Sequence, residues 1–192
     1  VKKAPPVPYK EPKSIEEAMD IVQGKLVMAF RMGAPATERE KNAARVLSAI
    51  YGGTPFSKLF MNVREKLSLC YYVVSNFERG SGVMLVDCGI EFESREAAQA
   101  EILRQLDCIC RGEITEEELA NTKLIMKNGL GSVGDSLGGL DNWYMTCVLD
   151  DLVLTPEEDA AEIDKITAEE VVAMAKRAKL STVFFLKGGE TE

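Results

Sequence analysis

Short apolar runs with turn residues on either side alternate along the chain with stretches of helical spacing. Gln23 to Arg31 (QGKLVMAFR) is apolar, flanked by glycines and of strand length. Cys70 to Phe77 and Val83 to Glu91 are two more strands, joined through Glu78-Arg79-Gly80-Ser81-Gly82 as a hairpin. Ser181 to Lys187 (STVFFLK) is a fourth strand, and Ile15 to Ile21 is expected to be extended. Thr37 and Glu40 have capping-box spacing, and Ala43, Leu47, Ile50 and Tyr51 follow on one helical face, with Gly52-Gly53 as the stop. A second helix is expected from Ser57 to about Leu67. A third opens at Ser94, with the stripe Ala98, Ile102, Leu106, Ile109 and Cys110, and stops at Gly112. Thr115/Glu118, Thr155/Glu158 (with Pro156 at the first helical position) and Thr167/Glu170 mark three more helix starts. The pattern predicts an α+β fold of two layers, a mostly antiparallel sheet with helices packed on one face.

Composition narrows the function classes. The 192 residues suit one domain, and 46% hydrophobic with 28% charged residues is ordinary for a globular fold. A net charge of −8 without any basic run argues against a grip on nucleic acid. No apolar run is long enough to span a bilayer, and residues 1 to 20 lack a signal-peptide core. The five cysteines show no CxxC spacing, and Cys108 and Cys110 fall on different faces of one helix, so reduced thiols in a cytoplasmic protein are expected. There is no histidine, which removes Ser-His-Asp and Cys-His nucleophiles and every His-based zinc site. Residues 1–13 carry four prolines and are expected to be a leader or linker, leaving 14–192 as a single domain. Because the first residue is Val1, the chain is expected to be a piece of something longer.

Gly52 to Tyr72 (GGTPFSKLFMNVREKLSLCYY) carries the candidate chemistry. On a wheel of about 100° per residue, Phe56, Phe60, Val63 and Leu67 form the expected buried stripe. Lys58, Asn62, Glu65 and Lys66 face solvent in that reading, and Arg64 sits on the shoulder of the stripe. An arginine there either snorkels or reaches across a cleft. Tyr71 follows seven residues later on a strand, so helix and strand together bring a guanidinium and a phenol to one end of the sheet. Taken singly, Arg64 would suit a surface ion pair, and Tyr71 ordinary cross-strand packing.

An R-E-K-x-x-L-x-Y segment after a G-G-x-x-x-S helix start resembles the second half of insulinase/pitrilysin/mitochondrial-processing-peptidase proteins. Gly52, Gly53, Ser57, Leu59, Phe60, Arg64, Glu65, Lys66, Leu69 and Tyr71 carry the resemblance, and the element order extends it over nearly everything after the leader. It implies two similar halves closing around an extended peptide, with an H-x-x-E-H zinc helix on one half. This chain lacks that motif and so resembles the zinc-free half. The resemblance implies no metal or cofactor on this chain, zinc on an N-terminal catalytic half or paired subunit, and substrate contacts from Arg64 and Tyr71. A non-catalytic scaffold or assembly subunit on the same fold is the alternative. Ser68 departs from the pattern, since relatives commonly have glycine there.

Other features have simpler readings. GGTPFSK lacks the second glycine of a phosphate loop where Ser57 stands. Glu116-Glu117-Glu118 complements a helix dipole. Met19, Met28, Met32, Met84 and Met126 are expected to fill the core, with Trp143 and Tyr144 as anchors. The glycine-rich stretch Gly129–Gly139 has no assigned role.

Overall fold

The computed structural model describes residues 11–149 and 152–189. The expected leader falls mostly outside them, although Lys13 already belongs to the first strand. Five strands form one sheet in the order β1-β5-β2-β4-β3: β1 (Lys13–Met19), β2 (Gly24–Arg31), β3 (Tyr72–Glu78), β4 (Val83–Ile90) and β5 (Lys179–Gly188). Only the edge pair β1–β5 is parallel; β5–β2, β2–β4 and β4–β3 are antiparallel. This is the expected α+β two-layer arrangement, with helices against one face.

Period-2 alternation decides which face is covered. Leu26, Met28 and Phe30 on β2, Met84, Val86 and Cys88 on β4, and Val183 and Phe185 on β5 are buried under the helices. Tyr72, Val74 and Leu85 stay on the open face, where Tyr72 donates to Asp87 at 3.0 Å and Lys25 pairs with Asp87 at 3.1 Å. Met19 is exposed, because every side chain of β1 is exposed, so it is not core.

The helical layer consists of α1 (Glu38–Ser48), α2 (Arg95–Cys110), α3 (Glu116–Gly131), α4 (Leu137–Leu149), α5 (Pro156–Asp164) and α6 (Ala168–Arg177). Reciprocal capping boxes open α3, α5 and α6 at the three expected threonines. At α1 only half of the box forms. Thr37 accepts from the Glu40 amide, but the Glu40 carboxylate reaches one residue further back, to the Ala36 amide at 2.7 Å. Gly112 closes α2 with positive φ, its amide donating to Ile109 and that of Glu113 to Cys108, a Schellman pattern.

Gly52 and Gly53 end α1 differently from expectation. The helix widens into a π-turn over Ala49–Gly53, and neither glycine has positive φ. Gly52 is required instead by close approach: a Cβ there would lie 2.8 Å from the Ser75 amide nitrogen and 2.9 Å from Ser75 Cβ. One turn earlier the Ser48 and Ser75 hydroxyls touch at 2.9 Å. Small residues at 48 and 52 thus let α1 lie directly on β3. Gly52→Ala is therefore expected to cost roughly 1–3 kcal/mol by overpacking, read as a lower urea midpoint at unchanged m-value. Behind this contact Tyr51 is fully buried, donates to the Ile102 carbonyl at 2.7 Å and meets Phe30 edge-on at 6.4 Å.

Candidate functional site

The helix expected from Ser57 does start there, with the Ser57 hydroxyl accepting from the Phe60 amide at 3.4 Å. From Phe60 to Lys66 it is a π-helix, however, and its end is marked by Leu67 N–H bonded to Asn62 O at 3.2 Å. Ladders of i→i+5 bonds rotate successive side chains less than an α-helix does, so the 3.6-residue wheel fails here. Leu59 and Val63 are the buried pair, whereas Phe56 and Leu67 are exposed. Lys58 and Asn62 do not face solvent either. Lys58 pairs with Glu118 at the start of α3 at 2.8 Å, and Asn62 donates to Gln105 of α2 at 3.3 Å. These polar contacts pin the π segment to two helices and fix where Arg64 emerges.

Arg64 lies with its guanidinium 4.8 Å from the Phe60 ring centroid and 3.6 Å from Glu65, an exposed stacked geometry that leaves donors available. After Leu67 the chain reverses. Ser68 takes φ 51°, and Leu69 N–H returns to Val63 O at 2.9 Å. Ser68 thus occupies the left-handed position after a helix where glycine is the usual residue, so the departure seen in the sequence sits at a strained site. Ser68→Gly is expected to raise stability by up to about 1 kcal/mol, the relief of strain exceeding the added unfolded-state entropy. Thermal unfolding of the two proteins checks this.

Tyr71 sits one residue before β3 and is 53% exposed. Its amide donates to Gly89 O at 2.8 Å, which fastens the approach to the strand onto β4. Arg64 and Tyr71, the two residues singled out in the sequence, line the same groove of about 480 Å³, together with Glu65, Ser68, Leu69, Cys70 and Glu91. Glu91 and Cys70 were not singled out. Their signal lay in the hairpin register: continued past Tyr72↔Gly89, it sets Cys70 opposite Glu91. A hydrogen bond from Cys88 holds the Cys70 thiol below the usual cysteine range against the opposing effect of burial, and the Arg64 charge lowers it further.

Among the described residues, no group of three or more His, Cys, Asp or Glu could hold a metal ion, and the chain has no histidine. The groove therefore offers donors, two carboxylates and a thiol, with no zinc-ligand set. Trp143 packs partly against the core and donates to Leu154 O at 2.9 Å, but Tyr144 is exposed and anchors nothing there. Among the described residues no helix is long and apolar enough to cross a membrane.

Residues 1–126 match the family model described as the peptidase M16 inactive domain. The chain is 32% identical over 180 residues to a Bacillus subtilis (strain 168) protein named "Probable inactive metalloprotease YmfF", covering 94% of this chain and 42% of that protein. Among solved structures, a conserved protein from Enterococcus faecalis V583 superposes with a TM-score of 0.87 at 34% identity, covering 97% of this chain and 44% of that one. A protease from Helicobacter pylori superposes with a TM-score of 0.81 at 24% identity, covering 97% and 48%. The chain thus spans less than half the length of each of these relatives.

Proposed function

Because the chain belongs to the peptidase M16 family as its inactive, non-catalytic domain, we propose that it is the substrate-holding half of a zinc metallopeptidase. Zinc and its ligands lie on an N-terminal catalytic half or a paired subunit, and the ligand of this half is an extended peptide. In this reading residues 14–192 act as one unit, with 1–13 as a leader or linker to it. The observation that carries the reading is the groove into which the π segment and the approach to β3 bring Arg64 and Tyr71 together. A guanidinium and a phenol are both donors, and both can hydrogen-bond a peptide carbonyl or the oxyanion that develops from it.

A further feature supports a partner half. Helix α4 exposes Tyr144, Met145, Val148 and Leu149 as one stripe, and Leu137 at its first position is 86% exposed. Contiguous apolar residues of this kind are usually covered by a partner, and relatives more than twice as long as this chain have room for one.

The test is peptide binding and cleavage by the assembled protein, wild type against Arg64→Ala and Tyr71→Phe. Unchanged binding and cleavage in the double variant would overturn the assignment. A second reading, a non-catalytic assembly subunit, is favoured by the name of the Bacillus subtilis relative. It predicts an assembled protein without zinc or cleavage.

A further inference from the structure

The Arg64–Tyr71 groove holds more charge than gripping a peptide backbone requires. Its lining includes one cation, Arg64, and two carboxylates, Glu65 and Glu91. Glu65 shares the π segment with Arg64 and faces it at 3.6 Å, so those two charges offset each other. Glu91 stands apart. It follows the last residue of β4, and its backbone carbonyl accepts from the Ser94 amide at 3.1 Å. Among the described residues, however, its exposed side chain has no hydrogen bond or ion pair. The hairpin sets its place, because the Tyr71 amide is fastened to Gly89 O at 2.8 Å, two residues before Glu91. The backbone at Glu91 is still extended (φ −68°, ψ 148°), so alternation continues past the strand and Glu91 shares the open face with Tyr72, the partner of Gly89. We infer that Glu91 is a specificity residue of this groove, selecting a peptide with a lysine or arginine side chain close to the carbonyl that Arg64 and Tyr71 hold. The inference rests on the peptide-holding reading of the groove.

Electrostatics decides which side chain can meet Glu91. An acidic one would face Glu91 and Glu65 on a chain whose net charge is already −8. An apolar one would strip water from the carboxylate and return no hydrogen bond, which is unfavourable. An ammonium or guanidinium keeps the carboxylate paired and brings the groove's charges into balance, two of each sign. Arg64 does not compete for Glu91, since Glu65 and the Phe60 ring already hold its guanidinium. The geometry suits a neighbour of the held residue. An extended peptide advances about 3.3 Å per residue and turns alternate side chains to opposite sides. With one carbonyl at Arg64 and Tyr71, a neighbouring residue sends its side chain toward the Glu91 wall, and the long stem of lysine or arginine can lie along Leu69.

Fluorescence anisotropy of the assembled protein with end-capped extended peptides, identical except for a central lysine, norleucine or glutamate, tests this. The lysine peptide should bind about tenfold more tightly than the norleucine peptide at low salt, with the gap narrowing as ionic strength rises. Glu91→Gln should bring that ratio close to one, and Glu91→Lys should turn the preference toward the glutamate peptide. Arg64→Ala should weaken all three peptides and leave the ratio in place. Equal binding of the lysine and norleucine peptides, or a preference that survives Glu91→Gln, would overturn the inference while the groove remains a peptide site. The same gain from uncapping the amino terminus of the norleucine peptide would also overturn it, since the groove would then read a chain end and not a side chain. If no peptide binds, or if binding ignores Arg64→Ala combined with Tyr71→Phe, the peptide-holding reading fails and the inference falls with it.

Discussion

Arg64→Ala in the assembled two-half protein is expected to lower peptide turnover about a hundredfold, equivalent to about 3 kcal/mol of lost transition-state stabilisation. Arg64 is half exposed over the Phe60 ring, and among the described residues its only ion pair is the loose 3.6 Å contact with its neighbour Glu65. Removing it leaves no buried charge unpaired, so the fold should survive and the loss should fall on the groove. Tyr71→Phe removes one hydroxyl from an exposed ring and should behave in the same way on a smaller scale. Arg64→Lys keeps the charge but not the planar fork, so it should rescue only part of the loss. If both donors act on the developing oxyanion, kcat falls while KM changes little; equal losses in binding would mean they hold the ground state. Circular dichroism and zinc content serve as controls. Cleavage and binding both unchanged in the double variant would remove Arg64 and Tyr71 from the site. Unfolding would return them to a structural role.

The legible part of the site was what depends on sequence order, and the illegible part was what depends on helix pitch. Strands β2 to β5 and the three capping boxes follow from local chemistry, such as a threonine three residues before a glutamate or an apolar run between glycines. Arg64 and Tyr71 were found through a resemblance that needs residue identity alone. The wheel, by contrast, assumed 3.6 residues per turn, and the π segment broke that assumption. Leu67 consequently moved out of the core and Asn62 into contact with α2, while Phe56 lies in the turn before the helix, where no wheel applies, and Lys58, just before the π segment, pairs with α3. Nothing in the local sequence distinguishes the π-helix, because Lys58 and Asn62 find partners 60 and 43 residues away. Gly52 was noticed for the wrong reason. Its φ is ordinary, and what excludes a side chain is β3, which the sequence around it does not reveal.

Asp159→Ala is expected to destabilise the fold by about 3–5 kcal/mol, more than any change in the groove, because it leaves a mostly buried arginine without its counter-charge. Asp159 is 2% exposed in the first turn of α5. It meets Arg45 of α1 through two contacts of 2.8 Å, one a hydrogen bond to Oδ1 and the other an ionic contact at Oδ2 that lacks good hydrogen-bond geometry. The Arg45 side chain is itself only 15% exposed, so it cannot relax fully into water. Asp159 also lies where the helix dipole favours a negative charge, a further few tenths to 1 kcal/mol. The gross attraction of the pair is offset by the desolvation of both groups, so deleting one partner and deleting both should differ in kind. Asp159→Ala should be severe and Asp159→Asn milder, since the amide oxygen still accepts from Arg45. The double change Arg45→Met with Asp159→Leu should recover most of the loss, because apolar groups of similar volume then meet across the α1–α5 contact. Urea unfolding of the wild type, Arg45→Met, Asp159→Leu and the double variant supplies the double-mutant cycle, with Asp159→Ala and Asp159→Asn measured beside it. A cost below about 1 kcal/mol for Asp159→Ala would mean that Arg45 reaches solvent by turning its stem and that the pair does not lock α5 onto α1. A double variant as unstable as Asp159→Ala would mean that the aspartate acts through its place in α5 and not through Arg45.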